Sequence, residues 1–252
     1  GLVCGQLKSR HFTDYIAALA GVQGEVTGVR YRGKSPDQPA SNYHYTFTTA
    51  DGEEHKIFWN DGIAEAWTNR WFTPEACNYC DDVFAECADV TCMDAWLPGI
   101  SSNPGGTSLL IVRSNDILTL IEENRASNTI SVEPIDISRV VRSQRGVVTI
   151  KRNHLAYRLY LNELLRTGVP QKRVHSSNSL AILEKRRFKI ICMMQKLSKQ
   201  STPKKGSHLM ADADDLKGQM YWHLMQLRII KLLNFPFRVV RYTVEMLAQK
   251  LG

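Results

Sequence analysis

A change of character near residue 150 constrains this fold most. Before it, short apolar strands alternate with helical stretches and turn signals; from Asn153 onward the apolar spacing is helical. Residues 7–21 set Phe12, Ile16, Leu19 and Ala20 at helical spacing, closed by Gly21. Residues 24–32 and 43–48 alternate as strands, and Asp51-Gly52 makes a hairpin turn into the strand 55–59. Residues 61–71 then read as helix, Ser108–Val112 as a buried strand, 115–125 as helix and 129–135 as a further strand. Helices follow at 153–167 and 178–198, then a polar hinge at 199–215, then helices at 216–234 and 237–250 separated by Pro236. The fold class expected is α/β, with α+β as its variant: a mixed sheet with flanking helices plus an α-helical C-terminal extension. The chain of 252 residues divides on this reading into a domain at 1–175 and an extension at 176–252.

Charge narrows the partners only in part. The net charge of +7 permits an anionic cofactor or acidic partner, but the excess sits at 139–250 while 51–96 is acidic, so no nucleic-acid surface is expected. Six cysteines, four of them clustered, do not make a secreted disulfide scaffold. No secretory leader pattern and no spanning apolar run is visible, and the expected location is cytoplasmic. The start at Gly1-Leu2-Val3-Cys4 reads as the interior of a strand, with further chain or a partner expected ahead of it.

The chemistry concentrates in residues 77–96, where Cys77 and Cys80 form a C-x-x-C pair and Cys87 and Cys92 follow. Thr73-Pro74-Glu75 signals a helix start, which puts the pair near a first turn, where free N–H groups favour thiolates. Three readings stay open: half-buried structural thiols, a zinc site, or an iron–sulfur cluster with ligands from distant parts of the chain. Cys4, beside Gly5 at the end of an apolar segment, is the candidate third ligand, whereas Cys87, Cys92 and Cys192 read as core.

The Gly105-Gly106-Thr107-Ser108 loop is either a phosphate cradle or an ordinary tight turn. Arg30, Arg32 and Lys34, followed by Ser41-Asn42-Tyr43, suit a pyrophosphate or form a solvated strand face. Trp59, Trp67, Trp71 and Trp96 read as core. The C-terminal helices interleave Trp222, Leu227 and Phe237 with Arg228, Lys231, Arg238 and Arg241, a pattern that packs on its own domain or lies on a partner or membrane surface.

Gly-Leu-Val-Cys-Gly at 1–5, Tyr31-Arg32-Gly33-Lys34 with Pro39-Ala40-Ser41-Asn42-Tyr43, the block at 77–96, Gly106-Thr107-Ser108 through Val112-Arg113, and Gly146 with Lys151-Arg152 occur in this order. Together, over about residues 1–175, they resemble the C-terminal domain of the coenzyme F420 hydrogenase/dehydrogenase beta-subunit family. The resemblance implies an oxidoreductase subunit in which FAD lies between a [4Fe-4S] cluster and a two-electron acceptor such as the deazaflavin coenzyme F420. It assigns Cys4, Cys77 and Cys80 as cluster ligands, with a fourth from the family's N-terminal part or from Cys87 or Cys92; an aliphatic residue is common at position 87, so Cys87 departs from the pattern. Arg32, Lys34, Asn42, Gly106, Thr107, Ser108 and Arg113 become the cofactor-binding candidates, with Arg32, Lys34 and Arg113 neutralising phosphates. The implied partners are a redox subunit of hydrogenase, dehydrogenase or ferredoxin type and the family's N-terminal part, with peripheral membrane contact through the C-terminal helices as a further option. The alternative is a cofactor-poor adaptor that uses those helices to bind.

Overall fold

The structure, a computed structural model, describes residues 1–201 and 209–236. The expected helix at 237–250, with Arg238 and Arg241, lies outside the described residues, as does part of the hinge at 199–215.

Helix α1, Arg10–Leu19, buries Phe12, Tyr15 and Ile16 on one face. Its end is closed as the sequence predicts. Gly21, at φ +82°, donates to the Ala18 carbonyl at 3.0 Å and Val22 donates to that of Ala17 at 3.1 Å, which satisfies two carbonyls the helix leaves open. Strands β1 (Val26–Gly33), β2 (His44–Thr49) and β3 (Glu54–Phe58) form an antiparallel meander with β2 in the middle. Gly52, at φ +87°, turns β2 into β3, and Thr49 and Asp51 hydrogen-bond across the turn. The central strand is buried on both faces, so it carries Tyr45 and Phe47 but also His44 and Thr46 into the interior. β1 slips register between Arg30 and Gly33, and Arg32 takes φ +58° at that irregularity.

A second, smaller sheet pairs β4 (Val90–Asp94) antiparallel with β5 (Ser108–Val112). Residues 1–3 run parallel beside β4: Val3 donates to the Cys92 carbonyl at 3.0 Å and Cys92 to that of Gly1 at 2.9 Å. This sheet is therefore mixed in direction, and the molecule as a whole is a mixed α and β fold. Met93, Ala95, Leu109 and Val140 make its small core.

The segment 129–135 forms no strand. Helix α2 is Ile63–Thr68, α3 is Ala76–Tyr79 and α4 is Asn115–Ala126. Thr129 and Ile130 fold back to donate to the Asn124 carbonyl near the end of α4. Pro134 lacks a ladder donor, and Asp136 caps α5 (Ile137–Ser143) by accepting from the Ser138 N–H at 2.7 Å. The chain is helical earlier than expected: α6 (Arg145–Thr149) passes through a π-helical turn, Ile150–His154, into α7 (Leu155–Leu164). That turn carries both Lys151 and His154 inside.

Helix α8, Ile182–Gln200, and helix α9, Leu209–Leu233, close the larger core. Ile190, Ile191 and Met194 from the first, and Leu216, Met220 and Ile230 from the second, join Phe12, Ile16, Phe47, Ile63 and Trp71. The extension predicted at 176–252 thus contributes core to the preceding part. No described helix is long and apolar enough to cross a membrane.

Candidate functional site

Cys77 lies on α3, a single turn, rather than at the head of a longer helix. The segment that leads into it is held by α8. Phe72 N–H donates to Ser198 Oγ at 2.8 Å, Gln195 Nε2 donates to the Thr73 carbonyl at 2.7 Å, and Asn78 Nδ2 donates to Gln195 Oε1 at 3.1 Å. A second Asn78 bond, to Glu75 Oε1 at 3.0 Å, works with Lys199, whose ammonium meets Glu75 Oε2 at 3.0 Å. Although burial pushes the Glu75 carboxyl upward, those two donors hold it below its usual value.

Four cations gather around this turn. Arg70, 4% exposed and at φ +64°, donates through Nη2 to Asn78 Oδ1 at 3.0 Å and to the Cys77 carbonyl at 3.4 Å. Lys151 Nζ, also inside, reaches the same carbonyl at 3.4 Å. Arg158 donates to Cys192 Sγ at 3.3 Å and lies over the Phe188 ring at 5.0 Å. Lys8 Nζ donates to the carbonyls of Trp67 (3.2 Å) and Trp71 (3.0 Å) and to Thr73 Oγ1 (3.0 Å), and faces the Trp67 ring at 5.1 Å. Among the described residues none of these four forms an ion pair with a carboxylate. Burial pulls the Lys8 pKa down to about 7, Arg70 adds to the shift and Cys77 opposes it. The Arg70 pKa is likewise lowered, by burial first and then by Arg158, while Cys77, Cys192 and Cys4 act the other way.

These surroundings test whether an anionic iron–sulfur cluster suits the site. Arg70 and Lys151 are buried and Lys8 and Arg158 half-buried with no carboxylate in contact, which is costly, and thiolates or a thiolate-bound cluster would supply negative charge there. Cys77, Cys192 and Cys4 all lie in the field of Arg70, so thiolates here meet the positive charge such a group would need. Cys80 caps the turn and its Sγ lies 3.8 Å from the Asp82 carbonyl. Among the described residues no three Cys, His, Asp or Glu side chains converge as one ligand set. All six cysteines are unpaired, and Cys87, expected in the core, is exposed. Its correction follows from the loop it occupies: residues 84–89 belong to no strand or helix. Trp71 is buried as expected, but Trp96 is on the surface.

Beside the cations opens a groove of about 580 Å³, lined by Lys8, Phe12, Tyr31, Arg32, Tyr45 and Trp67. Its volume is in the range of ligand pockets, and its walls combine aromatic rings with positive charge and one carboxylate, Asp14, which is paired with Arg10. Tyr31 meets Tyr45 edge to face at 4.9 Å and shares a 2.8 Å hydrogen bond with Thr13. Lys8 belongs to both places: its side chain lines the groove, and its charge is felt at Cys77.

The cofactor candidates fall into three places. Arg32 spans the two sheets, donating to both carboxylate oxygens of Asp94 at 2.9 Å and lying over Tyr43 at 4.7 Å. Lys34 donates to the Gly105 carbonyl at 2.6 Å, and Ser108 pairs with Asp94, so Arg32, Lys34, Gly106 and Ser108 do come together at one seam. The Gly105 and Gly106 N–H groups are taken by Asn103, and the Thr107 carbonyl by Ala95 N–H. Asn42 accepts from Asn60 N–H at 3.1 Å and donates to Gln38 at 2.8 Å. Arg113 stands at the far end of β5, donating to the carbonyls of Ala88 and Phe84 and to Thr91 Oγ1, where it ties the 84–91 loop to the sheet. Sequence reasoning missed Lys8, Arg70, Arg158 and Gln195, which belong to no motif that would mark them.

Residues 1–138 match the family described as the C terminus of the coenzyme F420 hydrogenase/dehydrogenase beta subunit. The match stops short of residue 175, the limit expected from Gly146 and Lys151-Arg152. No curated protein matches. Among solved structures, a chain from the xenon-derivatised F420-reducing [NiFe] hydrogenase complex of Methanosarcina barkeri is similar, with 13% identity and a TM-score of 0.40. The likeness covers 72% of this chain and 54% of that one, so this chain spans about half its length. More than half of the sequence lies within the family match, and the chain belongs to the family formed by the C-terminal part of coenzyme F420 hydrogenase/dehydrogenase beta subunits.

Proposed function

We propose that this chain is part of a cytoplasmic iron–sulfur flavoprotein subunit that passes electrons between a [4Fe-4S] cluster, FAD and a two-electron acceptor such as coenzyme F420. The observation that carries this reading is the unpaired positive charge at Cys77, set beside an aromatic and cationic groove through the shared residue Lys8. When bound, the cluster supplies one-electron steps and the flavin couples them to a hydride exchange. The chain's own work is placement and charge. Cys77 and Cys4 would hold the cluster in the field of Arg70, Lys8 and Lys151, with Cys80 close in sequence as a third ligand and the fourth coming from elsewhere. Tyr31 and Trp67 offer flat surfaces to a planar ring, and Arg32 could turn from Asp94 toward a phosphate at the same seam as Lys34 and Gly106. A redox subunit and the family's N-terminal part would complete the path.

A second reading, a binding adaptor, draws on α9, where Tyr221, Trp222 and Leu232 are 60%, 65% and 73% exposed beside Arg228 and Lys231. Anaerobic reconstitution of the chain with iron, sulfide and FAD separates the two. The redox reading expects the broad visible absorption of a cluster with flavin bands beside it, and loss of the cluster component in Cys77→Ser. A colourless protein, with Cys77→Ser equal to the parent in stability and partner binding, would overturn it.

A further inference from the structure

Helix α9 is apolar on two opposite sides. Leu216, Met220, Leu227 and Ile230 turn inward and join the larger core. Tyr221, Trp222, Ile229, Leu232 and Leu233 turn the other way, and they are 60%, 65%, 50%, 73% and 55% exposed. At the helical repeat of 3.6 residues those five share an arc of about 120°. A helix that is apolar on both sides is normally covered on both, and a contiguous apolar face left in water marks a surface that meets something else.

Charge decides what that something is. Lys217 and Arg228 follow one edge of the arc with Lys231 just beyond, and Gln219 and Gln226 follow the other. No Asp or Glu occurs between Asp215 and Pro236, and Asp215 Oδ2 is already engaged, accepting from Gln219 Nε2 at 2.8 Å. Among the described residues Arg228 and Lys231 form no ion pair with a carboxylate. The excess continues in the sequence beyond, where Arg238, Arg241 and Lys250 stand against Glu245 alone. Laying the same arc of a second copy over this one would set Arg228 against its own copy with no acid between them. An anionic lipid surface instead takes the cations at its headgroups and the apolar side chains just beneath. Tyr221 and Trp222 suit that boundary, with ring bodies in the apolar layer and polar ends in water. Because the inner side of α9 stays in the core, the contact runs along the helix and not across the bilayer.

We propose that the outer face of α9 docks on the surface of an anionic lipid bilayer, with Trp222, Ile229 and Leu232 entering the boundary layer and Arg228 and Lys231 at the headgroups. This is the face the adaptor reading draws on, committed here to lipid, and the contact stands whether or not the chain carries a redox group.

The test sediments the full chain, without iron or flavin, with phosphatidylcholine vesicles that contain or lack phosphatidylserine. Binding to the anionic vesicles is expected to be about tenfold tighter or more, and to weaken as salt is added. Lipids brominated on their acyl chains should quench the tryptophan fluorescence, and Trp222→Phe should lose that quenching, since Trp71 is buried and Trp59 and Trp67 pack against the core. Leu232→Glu should bind several-fold more weakly while melting at the parent's temperature. Equal or absent binding to the two kinds of vesicle, or quenching that survives Trp222→Phe, would overturn the proposal. So would a dimer, seen by light scattering, that Leu232→Glu dissociates, because a second copy would then cover the face. An earlier melting of Leu232→Glu would assign the face to the chain's own packing and overturn it as well. Cluster and flavin loading play no part in these readouts, so their failure leaves the redox reading where it stands.

Discussion

Arg152 and Arg173, at the surface, are matched to acids: Arg152 donates to Glu86 Oε1 at 3.0 Å, and Arg173 pairs with Glu86 and, at 3.5 Å, with Asp81. Arg70, Lys151 and Arg158, packed around Cys77, meet carbonyls, a thiol and ring faces instead. The first group behaves as a solvated brace for the loop after the C-x-x-C, where each pair contributes little. The second group holds charge with no carboxylate in direct contact, Glu75 acting on Arg158 only from a distance, an arrangement that weakens the fold and makes sense when a negative group is to be received there. The contrast separates positive charge used for structure from positive charge kept for binding.

Lys8 gives the largest measurable break between the two regions. Its folded pKa, about 7, lies below the ordinary value of 10.5. Below pH 7 both the folded and unfolded chains hold the proton, and its burial weighs fully against folding. Between about 7 and 10.5 the unfolded chain binds more protons, so the contribution of Lys8 to stability rises with pH. Urea unfolding of the parent and Lys8→Met at pH 7 and pH 9 should differ in slope by about 2–3 kcal/mol over that interval, with the variant flatter. Parallel pH dependence in the two proteins would mean that Lys8 is solvated like the surface group.

Glu86→Gln probes the surface brace and should do much less. Hydrogen bonding by Arg173 and the charges of Arg173 and Arg152 hold the Glu86 carboxyl below its ordinary 4.5. Its contribution is present above that value and fades as pH falls through the folded pKa. The variant should lose under about 1 kcal/mol at pH 7 and low salt, and the loss should shrink as salt is added. A loss several times larger, unchanged by salt, would show that the brace is a buried structural network and would erase the contrast.

The sequence reveals those parts of the fold that local chemistry determines. Gly21 ends α1 because only a residue at ease with positive φ closes that helix, and Asp51-Gly52 fixes the hairpin for the same kind of reason. The segment 129–135 misleads because its β-branched residues suggest a strand, while Pro134 and the Asp136 cap commit it to the approach of α5. In the site, Cys77 and Cys4 stand out as thiols, but the residues that set their surroundings do not. Lys151 comes inside only because the π-helical turn adds a residue to the helix and breaks the 3.6-residue period. Arg70 is brought under Cys77 by a left-handed backbone at a non-glycine position, which no periodicity announces. Gln195 and Ser198 act across more than a hundred residues of chain, a contact that packing alone creates.

The central claim is that the unpaired cations face an anionic redox group at Cys77. Its most direct measurement is the iron and acid-labile sulfide bound per chain after anaerobic reconstitution of the parent, Lys151→Met and Arg152→Met, with the unfolding temperature of each apoprotein recorded beside it. The parent and Arg152→Met should load alike, whereas Lys151→Met should bind several-fold less while its apoprotein melts no lower than the parent. Equal loading of all three, or a Lys151→Met apoprotein that simply unfolds earlier, would make Lys151 a structural cation and contradict the account.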